Sequence, residues 1–159
     1  MLRYPNLTFA SAECFTHCEI GMTVHKLSAP YTKNPIPVSV ISVLFIPSVE
    51  AAKLFFNVKL PEPLFTLKGI KIYNESENVK VTQKLSTALK IKTGADICVA
   101  SSAGNGRGVV TIFFKNRFYT VKTETKVKDF SKATLKEIEQ RKKEAVEKTI
   151  EFLKELIKG

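Results

Sequence analysis

The chain is poor in arginine, cysteine and long apolar runs, and each shortage removes a class of protein. Only Arg3, Arg107, Arg117 and Arg141 are arginines among 25 basic side chains. Nucleic-acid readers lean on arginine and on aromatics that stack against bases, and no such cluster occurs, so no nucleic-acid partner is expected. The net charge of +10 and the pI near 9.6 then reflect a lysine-rich composition of the kind common in heat-stable proteins, with a field that still favours an approaching nucleotide phosphate. Three cysteines (Cys14, Cys18, Cys98) are a poor basis for a disulfide framework and suit a reducing, cytoplasmic compartment. No apolar run approaches the roughly 20 residues that cross a bilayer, and Met1–Pro5 has neither the charged nor the apolar region of a signal peptide. Internal repeats and low-complexity segments are also missing.

What is present is an ordinary core-forming pattern. With 159 residues, 44% of them hydrophobic and 25% charged, the chain reads as a single domain over 1–159. Leu7 to Ala10 predicts a buried strand. From Thr16 onward Ile20, Val24 and Leu27 recur at helical spacing. After a proline-punctuated connection, Val38 to Ile46 is a near-continuous β-branched run that predicts a strand buried on both faces. A short helix is expected from Pro47-Ser48 to Phe56, a short strand over Gly69–Tyr73, a polar turn at Asn74–Asn78 and a helix over Val79–Lys92. Strands are expected at Ala95–Ala100, Val109–Phe114 and Arg117–Lys122. Ser131 to Lys158 predicts a long terminal helix, opened by a Thr134/Glu137 capping box, that docks on the domain's own sheet or pairs two subunits. The order implies a three-layer α/β sandwich with a largely parallel sheet.

Cys14 is the residue most charged with chemistry. The strand-to-helix reading places it beside a helix N-terminus, where free N–H groups and the helix dipole favour a thiolate. An exposed, ionisable sulfur facing a nucleotide cleft is the expectation. His17, three residues on, would share a helical face with it and act as its base. The plain alternative is a small buried hydrophobe. Cys14, His17, Cys18 and His25 also carry metal-binding side chains, but zinc sites favour paired ligands separated by a loop, and no metal is expected.

Gly104-Asn105-Gly106-Arg107-Gly108 admits two readings. Alternating glycines let successive amides converge on an anion, with Arg107 forking onto a phosphate. Asn-Gly between two β-branched runs is equally a hairpin signal. Ser101 and Ser102 precede the loop at a strand's C-terminal end, the edge at which parallel α/β sheets bind ligands.

Two family resemblances attach to these motifs. Ala12-Glu13-Cys14-Phe15-Thr16-His17 and the stretch from Gly94 through Gly108 resemble the CinA C-terminal family of nicotinamide-mononucleotide deamidases, in which a serine stands at the position of Cys14. A broader resemblance, carried by the same first motif with Phe45–Lys53, Lys68–Tyr73 and Ala103–Gly108, is to the HcgF family of methanogens, which acts in biosynthesis of the iron-guanylylpyridinol cofactor of mono-iron hydrogenase. That resemblance implies a CinA-like fold, a homodimer and a Cys14 that captures the carboxyl of guanylylpyridinol as a thioester. An HcgE-like enzyme would first adenylylate that carboxyl with ATP, and the protein itself would need no cofactor. Amides at Cys14 to Thr16 would hold the oxyanion. Glu13, Phe15, Thr16, Ser101, Ser102, Ala103, Gly104, Gly106, Arg107 and Gly108 would line the substrate, with the guanosine phosphate along the serines and the glycine loop. An amidohydrolase acting on a pyridine nucleotide and a nucleotide-binding module without turnover are the alternatives.

Overall fold

The computed structural model describes residues 6–159, so the signal-peptide reading of Met1–Pro5 lies outside the described residues. Strand β1 (Leu7–Glu13) leads through helix α1 (Glu19–Ser28) to β2 (Val38–Phe45). Helix α2 (Val49–Phe56) and the small hairpin β3 (Phe65–Leu67) and β4 (Ile70–Ile72) follow. Helix α3 (Glu75–Thr93) then precedes β5 (Ile97–Ser102), β6 (Gly106–Phe114), β7 (Arg117–Val127) and α4 (Leu135–Lys158). The main sheet runs β2-β1-β5-β6-β7. Its first three strands are parallel, and β6 and β7 add antiparallel to them.

Strand alternation sorts β1 into two faces. Phe9 packs with Ile20 and Val24 of α1 and with Ala145, Ile150 and Leu153 of α4. Ala10 and Ala12 pack the other way, with Ala52 of α2 and Val81, Leu85 and Leu89 of α3. The result is the expected α/β/α sandwich, with α4 laid on the chain's own sheet. Local capping fixes the helix starts. Ser48, Asn74 and Thr134 each accept an amide hydrogen from the first turn that follows them, which removes one orphan donor per helix.

Three expectations change. The polar stretch Asn74–Asn78 is no free turn: Asn74 caps α3, which starts at Glu75. The short strand near Gly69–Tyr73 pairs with β3 in its own hairpin and stays out of the main sheet. Val38–Phe45 is an edge strand, with Ile41 and Phe45 exposed. Its apolar run reports a face against α1 and a half-covered second face, because periodicity alone does not tell a central strand from an apolar edge.

Candidate active site

β1 lies between β2 and β5, and all three run the same way. Their C-terminal ends therefore open on one edge, where the connections leave toward opposite faces and open a crevice. Cys14 follows β1 at that edge. It lines a cavity of about 60 Å³ with Phe15, His17, Phe45, Pro47, Ile70, Ala103, Phe130, Ile138 and Arg141. Its side chain is buried, at 6% exposure. The expected open sulfur is in fact a sulfur reached only through this cavity.

The expected helix-dipole placement is also corrected. His17 and Cys18 adopt left-handed backbone, φ 50° and 64°, and α1 begins only at Glu19. Two successive left-handed residues cannot extend a right-handed helix. Cys14, Phe15, Thr16 and His17 form a turn instead, closed by the His17 amide donating to the Cys14 carbonyl at 3.0 Å. His17 is therefore no helical neighbour of Cys14, although it lines the same cavity from its exposed rim.

The helix N-terminus belongs to Glu13. Its carboxylate accepts the Ile20 and Gly21 amides at 3.0 and 2.9 Å, the Ser11 hydroxyl at 2.7 Å and the Thr16 hydroxyl at 2.6 Å. Burial pushes this carboxyl above its ordinary range, and the four hydrogen bonds oppose that push. With Thr16 donating to Glu13, the Ser101 hydroxyl donates to Thr16 at 2.6 Å and accepts the Cys14 amide at 3.0 Å. Glu13, Thr16 and Ser101 thus lock the turn that presents Cys14. They leave the Cys14 amide occupied. Among the described residues, the Phe15 and Thr16 amides have no protein acceptor.

Two buried basic side chains flank the sulfur. Lys71, fully buried, donates to the Ile46 carbonyl at 2.7 Å. Burial pushes its ammonium down, and the Cys14 sulfur beside it pushes back, by charge and by hydrogen bonding. Arg141 of α4, also fully buried, donates through Nη1 to the carbonyls of Gly104 and Gly106 at 2.8 and 3.1 Å. Its guanidinium lies 5.4 Å from the centroid of the Phe15 ring. Burial lowers it to about 10, so it stays charged at neutral pH. Lys71 lies within the Lys68–Tyr73 stretch that carries the family resemblance but has no chemical signature of its own there, and Arg141 sits on a helix whose other buried side chains read as core. The one available signal was an arginine interrupting the inward face of an amphipathic helix.

The glycine loop does different work from that expected. Its amides are engaged inside the protein: Asn105 donates to the Tyr73 carbonyl at 3.1 Å, Arg107 to Glu75 Oε1 at 3.2 Å and Gly108 to Thr123 Oγ1 at 2.9 Å. The loop is the hairpin of the second reading, and the expected amide nest is not formed. Its carbonyls at Gly104 and Gly106 hold Arg141, and the absent side chain at Gly108 makes room for the Phe15 ring, 2.5 Å from where a Cβ would stand. Ala103 lines the cavity, while Arg107 lies outside its lining. Ser102 is turned to Asn78 Oδ1 at 2.7 Å.

The other two thiols are held in their protonated form. Burial, aided by the negative charge of Glu13, pushes Cys18 up to about 11. Burial also pushes the fully buried Cys98 up to about 11. Only thiolates attack alkylating reagents. Iodoacetamide at pH 7.5 should therefore label Cys14 in intact protein, with Cys18 joining only as the pH climbs toward 11. Peptide mapping across a pH series checks this, and equal labelling of Cys18 at pH 7.5 would contradict it. Among the described residues, no three His, Cys, Asp or Glu side chains converge as a metal set, and no helix is long and apolar enough to cross a membrane.

Residues 6–157 match the family described as FeGP cofactor biosynthesis protein HcgF. A UPF0254 protein of Methanocaldococcus jannaschii is 34% identical over 165 residues, spanning 96% of this chain and 97% of its own. A UPF0254 protein of Methanococcus aeolicus is 35% identical over 163 residues, 96% of each chain. Among solved structures, a CinA superfamily protein of Klebsiella pneumoniae superposes with a TM-score of 0.61 at 16% identity, over 96% of this chain and 88% of that one. A competence or damage-inducible protein of Enterobacter asburiae gives 0.55 at 18% identity, over 96% and 86%. These two likenesses establish a CinA-like fold.

Proposed function

The chain belongs to the HcgF family of FeGP cofactor biosynthesis proteins, and from that premise we propose that it captures the carboxyl group of guanylylpyridinol as a thioester on Cys14. The observation that carries this reading is the setting of Cys14. It stands at the C-terminal edge of the parallel strands, in a cavity, between Lys71 and Arg141.

A free carboxylate is a poor electrophile because its oxygen is a poor leaving group. Adenylylation by an HcgE-like partner, with ATP, converts that oxygen into part of AMP. The Cys14 sulfur then forms a bond to the acyl carbon, the acyl carbon–oxygen bond breaks, and AMP departs with the electron pair. The thiol proton passes to His17 at the cavity rim or to solvent. The charge that builds on the acyl oxygen meets the free Phe15 and Thr16 amides. Glu13, Thr16 and Ser101 act as positioning residues through the turn. The purine nucleotide extends outward from the cavity, which has room only for the reacting end.

Incubation of the protein with guanylylpyridinol, ATP and an HcgE-like enzyme should add the ligand's mass, less one water, and hydroxylamine should remove it. A nicotinamide nucleotide that releases ammonia, with no adduct under activating conditions, would instead select the amidohydrolase reading. Reversible guanine-nucleotide binding with neither adduct nor ammonia would select the binding module.

A further inference from the structure

Arg141 is only half used by the protein. Nη1 holds the two loop carbonyls, while Nε and Nη2, both buried, have no hydrogen-bond partner among the described residues. A buried guanidinium with two unmet donors is costly, because its charge is desolvated without hydrogen bonds in return. The orphan pair is a geometric unit. Nε and Nη2 point the same way along one edge of the guanidinium plane, the edge that grips a carboxylate with two parallel hydrogen bonds. Arg141 lines the same cavity as Cys14. The Phe15 ring on one side and the Gly104 and Gly106 carbonyls fix the plane, so the edge is held before any ligand arrives. The other basic side chain against this sulfur is Lys71. The cavity walls are otherwise apolar or neutral, apart from His17 at the rim, so an anionic group entering it meets no carboxylate in the lining.

We propose that the free Nε–Nη2 edge of Arg141 is a carboxylate-recognition element, which seats the planar carboxyl end of an aromatic acid against Cys14. This rests on the thioester reading for its purpose and deepens it. The acyl carbon keeps two coplanar oxygens, one of them bridging to AMP after adenylylation, and Arg141 seats that pair against Cys14. A planar, two-oxygen group matches the two parallel N–H donors and the cavity of about 60 Å³. Recognition of a phosphate is the rival use of the same charge, and the test separates the two.

The probe is the pair iodoacetate and iodoacetamide, which alkylate the same sulfur by displacing iodide and differ in one carboxylate. The ratio of their second-order rates at Cys14, divided by the same ratio for glutathione, should exceed unity by about tenfold, the worth of one charge-assisted contact. In Arg141→Lys, which keeps a cation and a donor for the loop carbonyls, and in Arg141→Gln, the ratio should fall to near the glutathione value. The ratio is the readout because a change in the sulfur's own reactivity affects both reagents alike. Circular dichroism establishes that each variant is folded. The unmodified protein supplies a readout free of that concern: pyridine-2-carboxylate should slow iodoacetamide labelling of Cys14, and pyridine-2-carboxamide should not.

An unchanged ratio in a folded variant, or protection by the amide equal to that by the acid, overturns the assignment to Arg141. Protection by inorganic phosphate but not by pyridine-2-carboxylate overturns the choice of carboxylate. If Cys14 reacts with neither reagent, the thioester reading falls. Arg141 is then judged by calorimetric binding of pyridine-2-carboxylate, expected for the native chain and lost in Arg141→Lys; absence of binding to the native chain overturns the proposal.

Discussion

Cys14→Ser is expected to leave the fold intact and to abolish covalent capture of activated guanylylpyridinol, by about three orders of magnitude or more. The substitution exchanges one atom inside the cavity, so packing is nearly preserved. A serine hydroxyl remains protonated beside the same basic side chains, because a neighbouring charge moves an alcohol far too little to ionise it. The supporting contribution of Lys71 can be measured separately. Lys71→Met removes a buried amine that donates to the Ile46 carbonyl and hydrogen-bonds with the Cys14 sulfur. Iodoacetamide labelling of Cys14 at pH 7.5 should then slow by about tenfold, the effect of losing one hydrogen-bond partner of the reacting sulfur. Stopped-time labelling followed by mass spectrometry reads both. A Cys14→Ser protein that still forms a hydroxylamine-labile adduct would remove Cys14 from the chemistry.

Gly104→Ala should be the most damaging single methyl that can be added to the chain. A Cβ there would stand 2.3 Å from the Tyr73 carbonyl oxygen and 2.7 Å from its nitrogen. Both are backbone atoms flanking the start of α3, and the adjacent Asn105 amide is bonded to that same carbonyl. A flexible side chain swings aside, but this backbone cannot. The expected cost is about 3 kcal/mol or more of folding stability, the range of overpacked, strained sites. The site suffers as well, because the Gly104 carbonyl is one of the two that orient Arg141. Urea denaturation gives the stability change, and a loss under 1 kcal/mol would show that the close approach is not needed. Gly108→Ala makes a useful control. Its Cβ meets the Phe15 ring at 2.5 Å, a side chain with some freedom to move, so its expected effect is smaller.

The architecture was legible because it rests on periodicity and punctuation. Ile20 and Val24 fixed α1, Thr134 with Glu137 fixed the start of α4, and Gly94 fixed the end of α3 with φ 69°. Tertiary placement was less legible. β2 is as apolar as a central strand, and nothing local in Val38–Phe45 records that it lies at the edge. The motif around Cys14 was recognisable, but its geometry was not. His17 and Cys18 are ordinary helix-compatible side chains, and their left-handed backbone follows from Glu13 reaching over the turn to cap α1.

The basic side chains around the sulfur were hidden for a different reason. Lys71 and Arg141 lie 57 and 127 positions from Cys14 and reach it only through the tertiary placement of β4 and of α4. Local spacing cannot encode such a meeting. The glycine loop misled in a related way. Its pattern permits an amide nest or a hairpin, and the choice is made by acceptors supplied from Tyr73, Glu75 and Thr123. The residues that the motif singled out still matter, through their carbonyls and their lack of side chains.

The most direct test locates the captured ligand. Protein taken through activation of guanylylpyridinol is digested at mildly acidic pH, where thioesters survive, and the peptides are sequenced by mass spectrometry. The account predicts ligand on the peptide containing Cys14, with Cys18 and Cys98 recovered as free thiols. Ligand found on Cys18 or on a lysine, with Cys14 unmodified, would contradict it.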